Sequence, residues 1–484
     1  MSDIKLIQIL RTFSNEEFTL FKKFVASPYF NEGRNYIPLI NELKKHHPEY
    51  DRNKFVREKV FKALYPEEKY NSALLDTLFS RTAKLAENFL VQEVNRKNEF
   101  HNVTALAKEY CNRNIGKLFN VKVSEAEKIL EKVSEYSLDY FNCAKELEII
   151  KMDYLLANKD YYPSIENLPL RGELNLLDLL IKYIHSQIDI QIAGYETNND
   201  FSESVIKKST RLIDIEGMIK LFESRNSRYA VALKLKYFEL LAIKNADLKH
   251  FLLYRNLIEK NIDLLPWSEK FNRILSLLSA CNLGLRRFRE DFTKVPLELA
   301  KFIVDQNVHA INEKTNTFLP LYINLLGTLK EFNESAYIDK LILNLGSKIE
   351  PELKESLIAF SHIEKFIAEN NFQEALKFLG KVDFNHSIVK VRARINAILI
   401  YYELGYTEEL LSLTESTVKF LNSIENHQTF NIESAINYTK FVQKMVKFKQ
   451  PPDKDKLDDL KQEIKNSAKV MMKSWLLEKI DGIK

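Results

Sequence analysis

"FIAENNFQEALKFLG", residues 366–380, reads as the end of an apolar helix, a polar kink, and the start of a second helix. The stretch "YYELGYTEELLSL", residues 401–413, repeats that pattern 35 residues later. With Asn370 set against Gly405, Phe366 falls on Tyr401, Ile363 on Ile398, and Ala375-Leu376 on Leu410-Leu411. A lone helical hairpin cannot bury its apolar face, so such units stack and share a core. Weaker echoes of the junction occur at "KNADLKHFL" (244–252), "LGLRRFRED" (283–291) and "KEFNESAYI" (330–338). The expected architecture for the later half is an irregular array of helical hairpins, by analogy a right-handed α-solenoid.

Composition points the same way. The chain has 484 residues, 45% hydrophobic and 29% charged, enough apolar surface to offset the entropy of ordering it. It carries only 11 glycines and 12 prolines. Strand-rich folds need both at their many turns, and helix interiors exclude both, so the class is all-α. The net charge of +4 gives no whole-molecule field that would select nucleic acid or membrane. The surplus is local: residues 441–484 hold 11 lysines against 7 acidic residues, which reads as a solvated terminal helix or a patch for an acidic partner. Cys111, Cys143 and Cys281 are far apart, without a Cys-x-x-Cys pair, so neither a disulfide framework nor a zinc site is expected. No stretch resembles a signal peptide or a membrane span, and a cytoplasmic protein with no membrane partner is expected.

Along the chain, "SNEEFTLFKKFVA" opens with Ser14 and Glu17 in capping-box spacing, and Phe18, Phe21, Phe24 and Val25 share a face. Ser27-Pro28 should end this helix. The following "SPYFNEG" carries Tyr29 and Phe30, which favour buried anchoring of the loop over an exposed recognition edge. Helices are expected near 35–46, 53–65 and 70–93, completing an N-terminal module over 1–100. A linking region over 101–172 contains a long helix, or two, over 121–157, and ends in breakers Pro163, Pro169 and Gly172. The hairpin array spans 173–450, beginning with a helix at 203–222, and a C-terminal segment, 451–484, carries one last helix at 454–480.

The two quoted stretches resemble tetratricopeptide repeats, in which an aromatic, a turn residue and a small residue recur at fixed offsets. Phe366 and Tyr401 match the aromatic, Asn370 and Gly405 the turn, and Ala375 the small residue that opens the second helix. Ile363, Ile398 and Leu410 depart from the small residues of that pattern, and no proline ends either unit. The resemblance covers residues 350–425. It implies a concave face lined by the first helix of each pair, and on that face Glu364, Arg392, Leu399 and Tyr402 as contacts for a protein or peptide partner.

No residue pattern for catalysis, metal or cofactor is found. The closest two glycines, Gly327 and Gly346, are 19 residues apart, which excludes a phosphate-cradling loop and a Gly-x-Ser-x-Gly elbow. His185 and Asp189 share a helix face as a surface pair, and His46-His47 sits at a helix end. "DKDKLDD" (453–459) lacks the glycine and glutamate of a calcium loop. Arg286, Arg287 and Arg289 beside Phe288, and Lys390, Arg392 and Arg394, read as solvated, partly ion-paired faces. The expected function is a non-enzymatic helical-repeat scaffold or adaptor. The alternatives are a nucleic-acid-associated regulator using its basic patches, or an enzyme whose pocket gathers distant helices around His185 or His362.

Overall fold

The computed structural model describes residues 4–31, 34–50, 55–160, 165–197, 199–308, 318–345, 351–382, 387–424, 432–449, 454–467 and 469–483. Among them every regular element is helical. The chain divides into two compact units, Met1–Val133 with Asp139–Asp178, and Ser134–Leu138 with Leu179–Lys484.

The first unit begins with α1 (Lys5–Arg11), α2 (Asn15–Ala26), α3 (Ile37–Lys44), α4 (Arg57–Leu64) and the long α5 (Ser72–Lys97). The capping box forms as the sequence predicts: Glu17 N–H donates to Ser14 Oγ at 3.0 Å, and Ser14 N–H to Glu17 Oε2 at 2.8 Å. Phe13, Phe18, Phe21 and Phe89 then close an aromatic core, with ring centroids 5.6 Å apart for Phe13–Phe21 and 5.5 Å for Phe21–Phe89. His47 ties the α3 end to this core, its Nε2 lying 2.8 Å from the Phe13 carbonyl oxygen. After Ser27 the chain turns, with Asn31 Nδ2 donating to the Val25 and Arg34 carbonyls. Only half of the expected anchoring is found there. Phe30 stacks on Phe24 at 4.2 Å, but Tyr29 stands 85% exposed, touching the pair only through an edge-to-face contact with Phe30 at 5.0 Å. Glu32 and Gly33 lie outside the described residues.

The sequence gives no element for α6 (Glu99–Asn112), which packs against α7 (Gly116–Leu130). Residues 121–157 resolve into two helices, α7 and α8 (Leu138–Ala157). α9 (Leu168–Thr197) corrects the expected breaker cluster, since Pro169 and Gly172 lie inside it. Proline is tolerated in a first turn, where its missing N–H has no intrahelical partner to lose. Pro163 lies outside the described residues.

The second unit continues with α10 (Val205–Lys208), α11 (Ile215–Ser224), α12 (Ala230–Asn245), α13 (Leu248–Asn261), α14 (Trp267–Arg287) and α15 (Val295–Gln306). It goes on through α16 (Leu319–Glu331), α17 (Ser335–Leu345), α18 (Pro351–Ala368), α19 (Phe372–Leu379) and α20 (Ser387–Leu404). α21 (Thr407–Asn422), α22 (Ile432–Lys449), α23 (Lys454–Asn466) and α24 (Lys473–Ile483) complete it. Two single helices expected from the sequence are broken. Residues 203–222 form α10, a tighter turn at Ser209–Arg211, and α11, which Asp214 caps by accepting from Gly217 N–H at 2.9 Å. Residues 454–480 form α23 and α24, with Met472 in the left-handed region at φ 50°.

From α11 onward each helix packs on the next, and alternate helices also touch: α12 with α14, α15 with α17, α16 with α18, α18 with α20, α20 with α22, and α22 with α24. The junctions explain the serial order. Asn226, Asn307, Asn333, Asn370 and Gly405 all take left-handed backbone, φ 51° to 77°. The residue after each donates its N–H back five positions, as Asn371 does to the Phe366 carbonyl (2.8 Å) and Tyr406 to Tyr401 (3.0 Å). This double reversal satisfies the last carbonyls of one helix and turns the chain within two residues. At Asn370 the next residue also starts the following helix: Asn371 Oδ1 accepts from Glu374 N–H at 3.3 Å. Ala246 performs the same reversal at φ 52° with a single bond, its N–H donating to Ala242, and Asp247 then caps α13.

Charge is buried between these helices. Arg273 on α14, 3% exposed, donates Nη1 to Glu239 Oε2 on α12 at 2.6 Å, and its Nη2 lies 3.4 Å from Glu269. Lys236 Nζ adds a 3.0 Å contact to Glu239. Burial alone would raise the Glu239 carboxyl, but Lys236 and Arg273 outweigh it and hold that group below the ordinary range.

Candidate partner-binding site

The four residues drawn from the repeat resemblance lie on α18 and α20 and do not form one open surface. Glu364 is 1% exposed. Its Oε2 lies 2.6 Å from Lys330 Nζ on α16, and its Oε1 accepts from Asn396 Nδ2 on α20 at 3.0 Å. Lys330 also donates to Asn396 Oδ1 at 3.2 Å, which closes a triangle across three alternate helices. A carboxylate so enclosed has its charge answered within the chain. Leu399 is 2% exposed and belongs to the core.

Arg392 and Tyr402 keep part of their surface. Arg392 runs beside Gly327 of α16, where a methyl group would sit 3.6 Å from Nη1. Tyr402 meets Trp475 of α24 edge to face, with centroids 5.2 Å apart. Burial pushes the Tyr402 hydroxyl up to about 12, and the adjacent Glu403 charge adds to the rise. Glu403 in turn accepts from Trp475 Nε1 at 2.7 Å and pairs with Lys479 Nζ at 2.9 Å. Positions 392, 396, 399 and 403 recur every three or four residues, so one stripe of α20 supplies these contacts apart from that of Tyr402, which adjoins it. That stripe faces α16, α18 and α24 in turn.

Sequence reasoning missed Lys330, Asn396, Glu403 and Trp475, because their partners lie tens of residues away. Only the local halves of such networks were visible, as in the four-residue spacing of Glu269 and Arg273.

The other sequence candidates stand as follows. His185 is half-buried and Asp189 exposed, Nε2 to Oδ2 at 3.7 Å. His362 packs between Phe366 and Phe378 at 6.3 and 5.0 Å. Four of the lysines of the last segment are ion-paired: Lys444 with Glu463, Lys461 with Asp481, Lys469 with Glu433 and Lys479 with Glu403. Lys390 and Arg394 both lie over the Phe420 ring, at 4.9 and 5.1 Å. Among the described residues no group of three or more His, Cys, Asp or Glu side chains could hold a metal ion. No helix among them is long and apolar enough to cross a membrane. No family model, curated protein or solved structure matches this chain.

Proposed function

We propose that this protein is a non-enzymatic scaffold whose second unit is an irregular right-handed solenoid of tetratricopeptide-like hairpins, binding a protein or peptide segment on its concave face. The observation that carries this reading is the contact of alternate helices, α12 with α14 and α16 through α24 in steps of two. Stacked hairpins bring the first helices of successive pairs side by side, which is the arrangement that lines a groove. The left-handed junctions at Asn333, Asn370 and Gly405 support it, since they fold each pair by the same local rule.

With Glu364 and Leu399 inside, recognition in this reading falls to Arg392 and Tyr402. Arginine and tyrosine are the residue types that most often carry the binding energy at an interface, which suits a peptide contact. The test is a peptide-display selection on the full chain, followed by photo-crosslinking of the enriched peptides. Saturable binding with crosslinks on α16, α18, α20 or α22, weakened by Arg392→Ala with Tyr402→Phe, is the expected result. Failure to enrich any peptide over an unrelated helical protein, or crosslinks confined to α17, α19 and α21, overturns it.

A further inference from the structure

Cations collect at one end of α9, α12 and α14: Lys207, Lys244 and Arg287 share neighbours there, and Arg286 and Arg289 adjoin Arg287 in the chain. Gln191 and Tyr195 stand one turn apart on α9. Lys207 Nζ donates to Gln191 Oε1, and Arg287 Nη1 donates to Tyr195 Oη at 3.3 Å and to the Asn245 carbonyl at 3.4 Å. Lys244 precedes Asn245 at the end of α12, and Arg286 and Arg289 flank the end of α14, all three exposed. Among the described residues no acidic side chain lies within 4.0 Å of Lys207, Lys244, Arg286, Arg287 or Arg289. This corrects the partly ion-paired face expected for "LRRFRED": Glu290 and Asp291 follow the arginines in the chain, are exposed like them, and form no ion pair with them.

The contrast with nearby lysines is direct. Lys208 pairs with Glu203 and Lys234 with Glu223. Lys207, one residue away from Lys208, instead has its ammonium lowered by burial and by the charge of Lys244. Like charges held together and left unneutralised raise the local potential and attract a multivalent anion. Beside them Phe288 is 39% exposed, with the Arg287 guanidinium 5.5 Å from its ring centroid.

We propose that this cluster binds single-stranded nucleic acid, with Lys207, Lys244 and Arg287 holding backbone phosphates and Phe288 offering its ring to an unpaired base. An exposed ring next to several cations is what a single strand uses, because it presents a phosphate and a stacking face at each step. An acidic peptide would answer the charges and leave the ring without a role. The inference is independent of the peptide-groove reading, which concerns other residues.

The test is fluorescence anisotropy of a labelled mixed-sequence single-stranded oligonucleotide titrated with the full chain at several salt concentrations. With three phosphates neutralised, log affinity should fall against log salt with a slope of about −2. The variant Lys244→Glu/Arg286→Glu/Arg289→Glu touches only exposed side chains and should keep its thermal melt. It should lose at least about tenfold in affinity and flatten the slope. Phe288→Ala should weaken the oligonucleotide by about fivefold or more while leaving an abasic strand of the same length unaffected. Three results would each overturn the proposal: no binding at low salt, wild-type affinity in the charge-reversed variant, or a poly-glutamate peptide that binds as tightly as the oligonucleotide.

Discussion

The start of the first unit and the hairpins of the second are stabilised in different ways. Around α2 and α5 the interior is aromatic and almost free of charge: Phe13, Phe18, Phe21 and Phe89 meet edge to face or tilted. Such packing is strong but only loosely directional. Between α12 and α14, and across α16, α18 and α20, the contacts are buried ion pairs and amide hydrogen bonds with fixed geometry. Such pairs add little net stability, because desolvation offsets most of the attraction. They penalise misalignment, since a helix that slips one turn strands a buried charge. Two stacked helices have several registers available, whereas a closed aromatic core has one.

The sharpest way to break this contrast is Arg273→Met, which leaves Glu239 and Glu269 buried without their common partner. It should cost about 3–5 kcal/mol in denaturant unfolding. Replacing Arg273, Glu239 and Glu269 by leucine together with Lys236→Met, which would otherwise lose its partner Glu239, should recover most of that loss. A quadruple variant no more stable than Arg273→Met would show that the network contributes stability outright. Phe21→Ala should cost a similar amount, about 3–5 kcal/mol, and here no neighbouring substitution that shortens a second side chain should rescue it.

A smaller effect is expected at the junctions. Ala246 carries a Cβ in left-handed backbone where the equivalent hairpin uses Gly405. Ala246→Gly should therefore stabilise by about 1 kcal/mol, read as a raised unfolding midpoint; a lowered midpoint would mean that the packing of the buried methyl outweighs the strain.

The smallest effect concerns acid. Burial and then the charge of Lys365 lower the His362 imidazole, with Asp339 pulling the other way. The folded state thus takes up a proton less readily than the unfolded chain, so stability present above the ordinary histidine range is lost as pH falls through it. His362→Phe should flatten the decline in melting temperature between about pH 7 and about pH 5 relative to wild type. Parallel declines would remove His362 from the account.

Much of the helical layout was legible because its signals are local. Ser14 and Glu17 announce a helix start within four residues, and Asn370 and Gly405 mark two reversals 35 residues apart. The misreadings share a physical cause. Pro169 and Gly172 look like breakers, yet near a helix start neither removes a hydrogen bond the helix needs. The break before α24 falls at Met472, with no glycine or proline to announce it. Tyr29 and Phe30 are chemically alike neighbours, and only the course of the turn decides that Phe30 stacks on Phe24 while Tyr29, edge-on to Phe30, keeps most of its surface in solvent. The candidate site was least legible of all. Resemblance placed Glu364 and Leu399 on a surface, but whether a helical stripe faces a groove or a neighbour depends on partners such as Lys330, remote in sequence. The arginines of "LRRFRED" were visible, whereas the company of Lys207 and Lys244 required three helix ends to meet.

The reversals at Asn333, Asn370 and Gly405 have a consequence for how such a chain can change its length. Each is completed by amides and carbonyls within six consecutive positions and borrows nothing from a distant segment. A hairpin copied or excised between two of them would bring or remove its own bend, leaving the remaining bends as they were. Growth by insertion of whole pairs is then geometrically easy, and what limits it is whether the newcomer's flanks offer a mate for charges such as Glu364.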